Sequence, residues 1–183
     1  MEQTGLQRQL LERYVKKESL LKHCLATGAI MKKVAGSLGE DESLYETIGI
    51  LHDIDFELVD EDMDRHGIEG ARILEENGYG EEVTEVVKRH NDMIFGRSTG
   101  IADVTLQAAD NISGLIIACA LVKGGSISDV TQRTVKKKFK EKSFAAGCRR
   151  ERVREIEKFM DLSSFFELAI EAMTEIKEDL GLS

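Results

Sequence analysis

The chain contains four histidines, His23, His52, His66 and His90, and each stands where an imidazole could do chemistry. His52 is followed directly by Asp53, and a further carboxylate, Asp110, lies downstream in the string AADNISGL. Imidazole nitrogen combined with carboxylate oxygen is the ligand set of Zn, Mn, Fe, Co or Ni, rather than of calcium or of a thiolate zinc knuckle. Adjacent helical residues point about 100° apart. His52 and Asp53 can therefore serve one ion only at a helix end, with other helices completing its shell. His23 and Asp110 are the residues able to complete it.

The elements that must position these groups are helices. Proline is absent, aromatics make up 5% of the chain, and no stretch alternates apolar with polar residues long enough for a strand. Eight or nine helices are predicted, near 6–17, 19–38, 43–53, 67–77, 81–91, 101–123, 128–140, 146–160 and 163–180. Ser43 with Glu46, and Ser164 with Glu167, have capping-box spacing. Gly39, Gly78 and the pair Gly124 and Gly125 mark helix ends. The expected architecture is one all-α domain over 1–183, a single helical bundle.

Polar residues interrupt the apolar faces of these helices. In the second, Leu20, Cys24, Met31, Val34 and Leu38 form a stripe with His23 at its edge; in the third, Leu44, Ile48 and Leu51 face inward and His52 follows Ile48 by one turn. In the sixth, Leu106, Asp110, Ser113, Ile117 and Leu121 advance in steps of three and four, so Asp110 interrupts an inward face. A buried carboxylate costs several kcal/mol unless a cation or donors compensate. Something positive is expected to meet Asp110.

The order of His23, the His52–Asp53 doublet in LHDID, and Asp110 resembles the HD-domain superfamily of metal-dependent phosphohydrolases. The resemblance implies that these four residues bind one metal. His66 in RHGIEGARIL and His90 in VKRHN fall where two-metal members carry two further ligands. It covers 19–123, the implied metal-binding core, while the C-terminal helices of 128–183 resemble the tail of small stand-alone predicted HD hydrolases. The nearest ligand pattern is that of compact dinucleoside-tetraphosphate hydrolases. Implied with it are one or two divalent transition-metal ions (Mn, Fe, Co, Ni or Zn), with Asp53 bridging and His52, Asp53 and Asp110 at the reacting centre. Such ions acidify bound water and so permit hydrolysis of a phosphate ester or anhydride, with a nucleotide the preferred small substrate. A regulatory HD module that binds metal or nucleotide without turnover is the rival. The Gly-Tyr-Pro signature of members that cleave cyclic dinucleotides is missing, since Asn77-Gly78-Tyr79-Gly80 contains no proline.

Charge adds a second hint. The net formal charge is −9, which argues against bulk nucleic-acid binding, yet residues 133–154 hold ten Lys/Arg against Glu141 and Glu151. Three readings stay open for this basic segment: a solvated face, a cationic cleft mouth in which Lys138, Lys140, Lys142 and Arg149 attract a polyanionic substrate, or nucleic-acid contact aided by Phe139 and Phe144. The acidic run from Asp53 to Asp64 fits no EF-hand, because its sixth position is Leu58 and its twelfth is Asp64. It reads as a solvated loop, with Asp55 or Glu57 a remote candidate for proton transfer. P-loop, serine-hydrolase, zincin and Rossmann strings are absent. Cys24, Cys119 and Cys148 are too scattered for a disulfide framework, the N-terminus has no signal-peptide core, and the apolar run 112–122 is too short for a bilayer. A cytoplasmic protein without a membrane partner is expected, its oligomeric state open.

Overall fold

The computed structural model describes residues 2–183, with side chains from residue 5 onward. Its helices are α1 (Glu2–Tyr14), α2 (Glu18–Leu38), α3 (Glu42–Leu51), α4 (Ile68–Glu76), α5 (Glu81–Arg89), α6 (Asp92–Phe95), α7 (Ile101–Leu121), α8 (Gln132–Lys140), α9 (Arg150–Arg154), α10 (Leu162–Glu175) and α11 (Lys177–Leu180). A 3-10 turn, Glu155–Lys158, continues α9. There is no strand among the described residues, and the fold is all-α. One continuous apolar core extends along the chain from Leu10 to Leu180.

Two long helices organise that core. α2 packs against α3, α7 and α10, and α7 packs against α2, α3, α8 and α9. The α2–α3 pair approaches to backbone contact. A Cβ on Gly49 would lie 2.6 Å from the Gly28 Cα, and a Cβ on Gly28 would lie 2.5 Å from the Ile50 side chain. Only glycine at both positions permits that spacing, and it brings His23 of α2 beside the end of α3. α7 is apolar and long enough to cross a bilayer by composition, but 67% of its most apolar window is buried within the fold. That is the burial of a core helix.

Several boundaries differ from the sequence expectation, each for a local reason. α3 starts at the Asp41 cap, whose carboxylate accepts the N–H groups of Ser43 and Leu44; Ser43 is not the cap, and Glu46 pairs instead with Lys32. Asp161 likewise caps α10 through Ser163 and Ser164, while Glu167 accepts from Gln132. A free carboxylate two or three residues upstream thus outcompetes the serine hydroxyl. The predicted 128–140 helix starts only after Thr131, which caps through its hydroxyl. The predicted 146–160 helix shrinks to α9 and its 3-10 extension, and 163–180 breaks at Ile176 (φ −111°). Gly39, Gly78, Gly124 and Gly125 do occupy left-handed conformations at helix ends. The inward stripe of α7 holds from Leu106 to Ser113, but Leu121 at its end is 62% exposed.

Candidate metal centre

Five elements deliver the six candidate ligands to one place. His23 comes from α2 and Asp110 from α7, while His52 and His90 are the C-cap residues of α3 and α5. Asp53 follows α3, and His66 precedes the Gly67 cap of α4. Two helix C-termini therefore end at the site, and the partial negative charge of their carbonyls favours a cation there.

The geometry divides around the two oxygens of Asp53. Its Oδ2 lies 3.7 Å from His23 Nε2 and 3.4 Å from His52 Nε2, and Asp110 Oδ1 stands 3.0 Å from His23 Nε2 and 3.9 Å from His52 Nε2. Its Oδ1 lies 3.3 Å from both His66 Nε2 and His90 Nε2, which are 2.9 Å from each other. Ligand atoms bound to one ion at about 2.1 Å stand roughly 3.0–3.5 Å apart, so these separations suit one cation on each side of Asp53. His23, His52 and Asp53 form one group able to hold an ion, and Asp53, His66 and His90 form a second.

Every imidazole is oriented through its other nitrogen. His52 Nδ1 donates to the Gly49 carbonyl at 2.8 Å, His66 Nδ1 to Asp55 Oδ1 at 2.9 Å, and His90 Nδ1 to the Val87 carbonyl. Ser113 Oγ donates to the Asp110 carbonyl, which leaves its lone pair to accept from His23 Nδ1 at 3.1 Å. With Nδ1 protonated in all four rings, four Nε2 lone pairs converge on the Asp53 and Asp110 carboxylates. His52 Nε2 is buried with no hydrogen-bond partner, and the facing Nε2 atoms of His66 and His90 need a cation or a proton between them. Neutral imidazole with carboxylate and no thiolate fits a first-row divalent ion. Cys24, nearby, belongs to neither group; in the absence of metal, burial first, then the Asp53 and Asp110 charges, holds its thiol well above the ordinary range.

Electrostatics describe the same site in the absence of metal. Burial opposes charge on His52, but Asp53 and Asp110 overcome it and raise its pKa to about 9. His66 is likewise raised to about 9, with burial outweighed by Asp53 and Asp55. Burial works against ionising Asp53, yet His52, His66 and His90 hold it well below the usual carboxylate range. Asp110 is lowered too, its burial outweighed by the His23 hydrogen bond. Positive charge at this point is required, whether carried by protons or by metal.

The HD-domain family model matches residues 20–115, more than half of the chain, and so takes in every one of these ligands. The chain belongs to the HD-domain family. That family lies within the metal-dependent phosphohydrolase superfamily. Among curated proteins, the ribonuclease Y of Thermobifida fusca (strain YX) is 31% identical over 97 residues, 53% of this chain and 19% of that protein. The ribonuclease Y of Acidothermus cellulolyticus (strain ATCC 43068 / DSM 8971 / 11B) is 32% identical over 97 residues, with the same shares. The HD chain thus spans about a fifth of the length of these relatives. No solved structure gives a significant match.

Other predicted residues fall in different places. Arg149 lies at the site mouth: it lines a cavity of about 200 Å³ together with Asp53, His66, His90 and Asp110. Its guanidinium bonds Asp92 and Gln107, and its backbone N–H donates to Asn111. Lys138, Lys140 and Lys142 do not line either cavity at the centre. Lys138 pairs with Glu141 and lies over the Phe144 ring, and Lys140 and Lys142 are exposed. The basic segment is also not uniformly a solvated face. Arg150 donates to the carbonyls of Phe139, Glu141, Phe144, Ala145 and Cys148, tying down the 141–148 loop, and buried Arg152 pairs with Asp92 and Glu155.

The acidic loop holds the main surprise. Asp55 is fully buried and accepts from His66 Nδ1 and from the N–H groups of Gly67 and Gly70, so it positions His66 rather than relaying protons in solvent. Glu57 accepts from the backbone N–H groups of Lys16 and Lys17 at the start of α2, which removes it as a proton-transfer candidate. Asp55 stands between Ile54 and Phe56 in the sequence, and that apolar setting was the available signal for its burial.

Proposed function

We propose that the chain is a metal-dependent phosphohydrolase that cleaves a phosphate ester or anhydride of a nucleotide or another small phosphorylated metabolite. The observation that carries this reading is the convergence of four oriented Nε2 lone pairs on the two oxygens of Asp53. His23, His52, Asp53 and Asp110 would hold one divalent ion, and Asp53, His66 and His90 a second, drawn from Mn, Fe, Co, Ni or Zn. Bound there, such ions lower the pKa of a coordinated water and neutralise phosphate charge. The protein's own groups do the rest. Asp53 fixes the spacing of the two sides, the Nδ1 partners keep each ring in its ligating tautomer, and Arg149 offers a guanidinium to phosphate oxygens at the mouth. No serine or cysteine nucleophile is needed.

Elemental analysis of protein purified without chelator, combined with a phosphate-release screen in Mn, Fe, Co and Ni, tests this. One or two metals per chain with turnover of a small phosphorylated compound is expected. Metal-free protein that turns over nothing under any of these ions would overturn it. Nucleotide binding without phosphate release would favour the regulatory module instead. A second reading, cleavage of RNA, draws on the likeness to two proteins named ribonuclease Y. The net charge of −9 weighs against it. RNA cleavage that falls steeply with salt would support it, and absent cleavage would remove it.

A further inference from the structure

Among the described residues, Arg149 is the one arginine or lysine lining either cavity at the metal centre. It is exposed and stands at the N-cap of the five-residue α9, a poor foundation for an exact contact. What holds it comes chiefly from α7. Its backbone N–H donates to Asn111 Oδ1 at 2.9 Å, and its guanidinium donates to Gln107 Oε1 at 3.1 Å. The same guanidinium donates to both oxygens of Asp92, at 3.0 and 3.1 Å. Asp92 is also paired with Arg152, so its charge is divided between two guanidiniums. The far ends of the two amides reach the metal ligands. Gln107 Nε2 donates to the His90 carbonyl, and the Nδ2 of buried Asn111 donates to Asp110 Oδ2 at 3.3 Å and to the Gln107 carbonyl at 2.9 Å. Neither amide can be reversed, because turning it would set N–H against N–H and oxygen against oxygen.

We propose that Asn111 and Gln107 are positioning residues that hold the Arg149 guanidinium in fixed register with Asp110 and His90, so that it meets a phosphate oxygen at the metal centre. The inference rests on the phosphohydrolase reading above and deepens it. Gln107, Asp110 and Asn111 stand at i, i+3 and i+4 of α7, so one helix face carries both the ligand and the two amides. A free arginine would lose most of its rotamer freedom on gripping a phosphate; here that freedom is already lost in the folded protein. On the metal side, the Asn111 bond occupies Asp110 Oδ2 and leaves Oδ1 to face His23 and His52. Neither Asn111 nor Gln107 lines the cavity that holds Arg149, so both act on a bound phosphate through the guanidinium. Asn111 does border the cavity beside His23, and a direct contact made there would persist without Arg149.

A double-mutant cycle tests this without turnover, with inorganic phosphate titrated by calorimetry into the Mn-saturated protein. Arg149→Ala should weaken phosphate binding about ten-fold or more. Asn111→Leu and Gln107→Met should each weaken it about five- to ten-fold when Arg149 is present. In the Arg149→Ala background each should change it by less than about two-fold, because no guanidinium is left to aim. Asn111→Leu should also lower Mn affinity about ten-fold by competition with a chelating dye, through its bond to Asp110. Gln107→Met keeps side-chain length and helix preference, so it carries the cycle even if Asn111→Leu fails to fold. Equal losses with and without Arg149 would mean direct contact or general loosening, and would overturn the inference. So would phosphate affinity left unchanged by the foldable variants, or a Mn-saturated wild type that binds no phosphate. The expected cycle in a protein that releases phosphate from no compound under any metal would instead sink the hydrolase reading and leave the positioning roles standing.

Discussion

The two halves of the metal centre are built by different means. On the His23 side the ligands ride on long, buried helices: α2 and α7 supply His23 and Asp110, and Ser113 links the two. On the His66 side they ride on a turn and the end of a nine-residue helix, and hydrogen bonds from loops hold them. Asp55 anchors His66, and the Asn91 amide ties the same turn by donating to the Met63 and His66 carbonyls. The charge also differs. The His23 side has the full Asp110 carboxylate plus one oxygen of Asp53, whereas the His66 side has only the other oxygen of Asp53. A cation therefore gains more on the helix-built side, and the loop-built side depends on a single shared anion.

The sharpest way to break this comparison is Asp53→Ala, which removes the group common to both halves. Metal per chain should fall to zero and turnover by about a thousand-fold or more; a variant that keeps one tightly bound metal would show the halves to be independent. His90→Ala should be milder and one-sided, leaving one metal per chain and lowering turnover by roughly 10- to 100-fold. Loss of both metals would refute the ranking of the halves. Asp55→Asn alters only the anchor of His66, and a drop of about ten-fold in affinity for the second metal alone is expected by competition with a chelating dye.

Acidity sharpens the comparison further. In chelator-treated protein, His52 and His66 have folded-state pKa values of about 9, above the unfolded value of ~6.5. Their contribution to stability is thus fully present below pH ~6.5 and disappears as pH rises through about 9. Urea denaturation of the chelated protein should lose a few kcal/mol over that window. Metal-loaded protein should not follow, because its imidazoles are already deprotonated and the ions supply the positive charge; identical profiles for the two forms would contradict the site. The smallest effect expected is that of Gly49→Ala, which forces the α2 and α3 backbones apart and should cost about 1–3 kcal/mol by the same denaturation measurement.

The six candidate ligands were legible because their types are rare and their order is distinctive, and because Asp110 broke an apolar face. The groups that aim them were less legible. Asp55 was hidden among acidic neighbours that are solvated, and its burial depends on Gly67 and Gly70 folding back onto it from 12 and 15 residues away. The caps lie two or three residues before Ser43 and Ser164, because Asp41 and Asp161 compete with those serines for the same amides. The basic segment was ambiguous for a related reason: Arg150 is spent on backbone carbonyls and buried Arg152 on the half-buried Asp92 and Glu155, a division that local charge does not reveal. The glycine contact between α2 and α3 joins residues 21 positions apart, and nothing in either helix alone announces its partner.

That contact has a bearing on how the site could change. Where Gly28 meets Gly49, main chain touches main chain, so there is no side chain to repack, trim or swivel. The gap between the rings of His23 and His52 is in effect welded by the backbone, and the pair cannot be tuned by sliding one rod past the other. Altering which ion the protein prefers would then require exchanging donor atoms, not remodelling the frame that carries them.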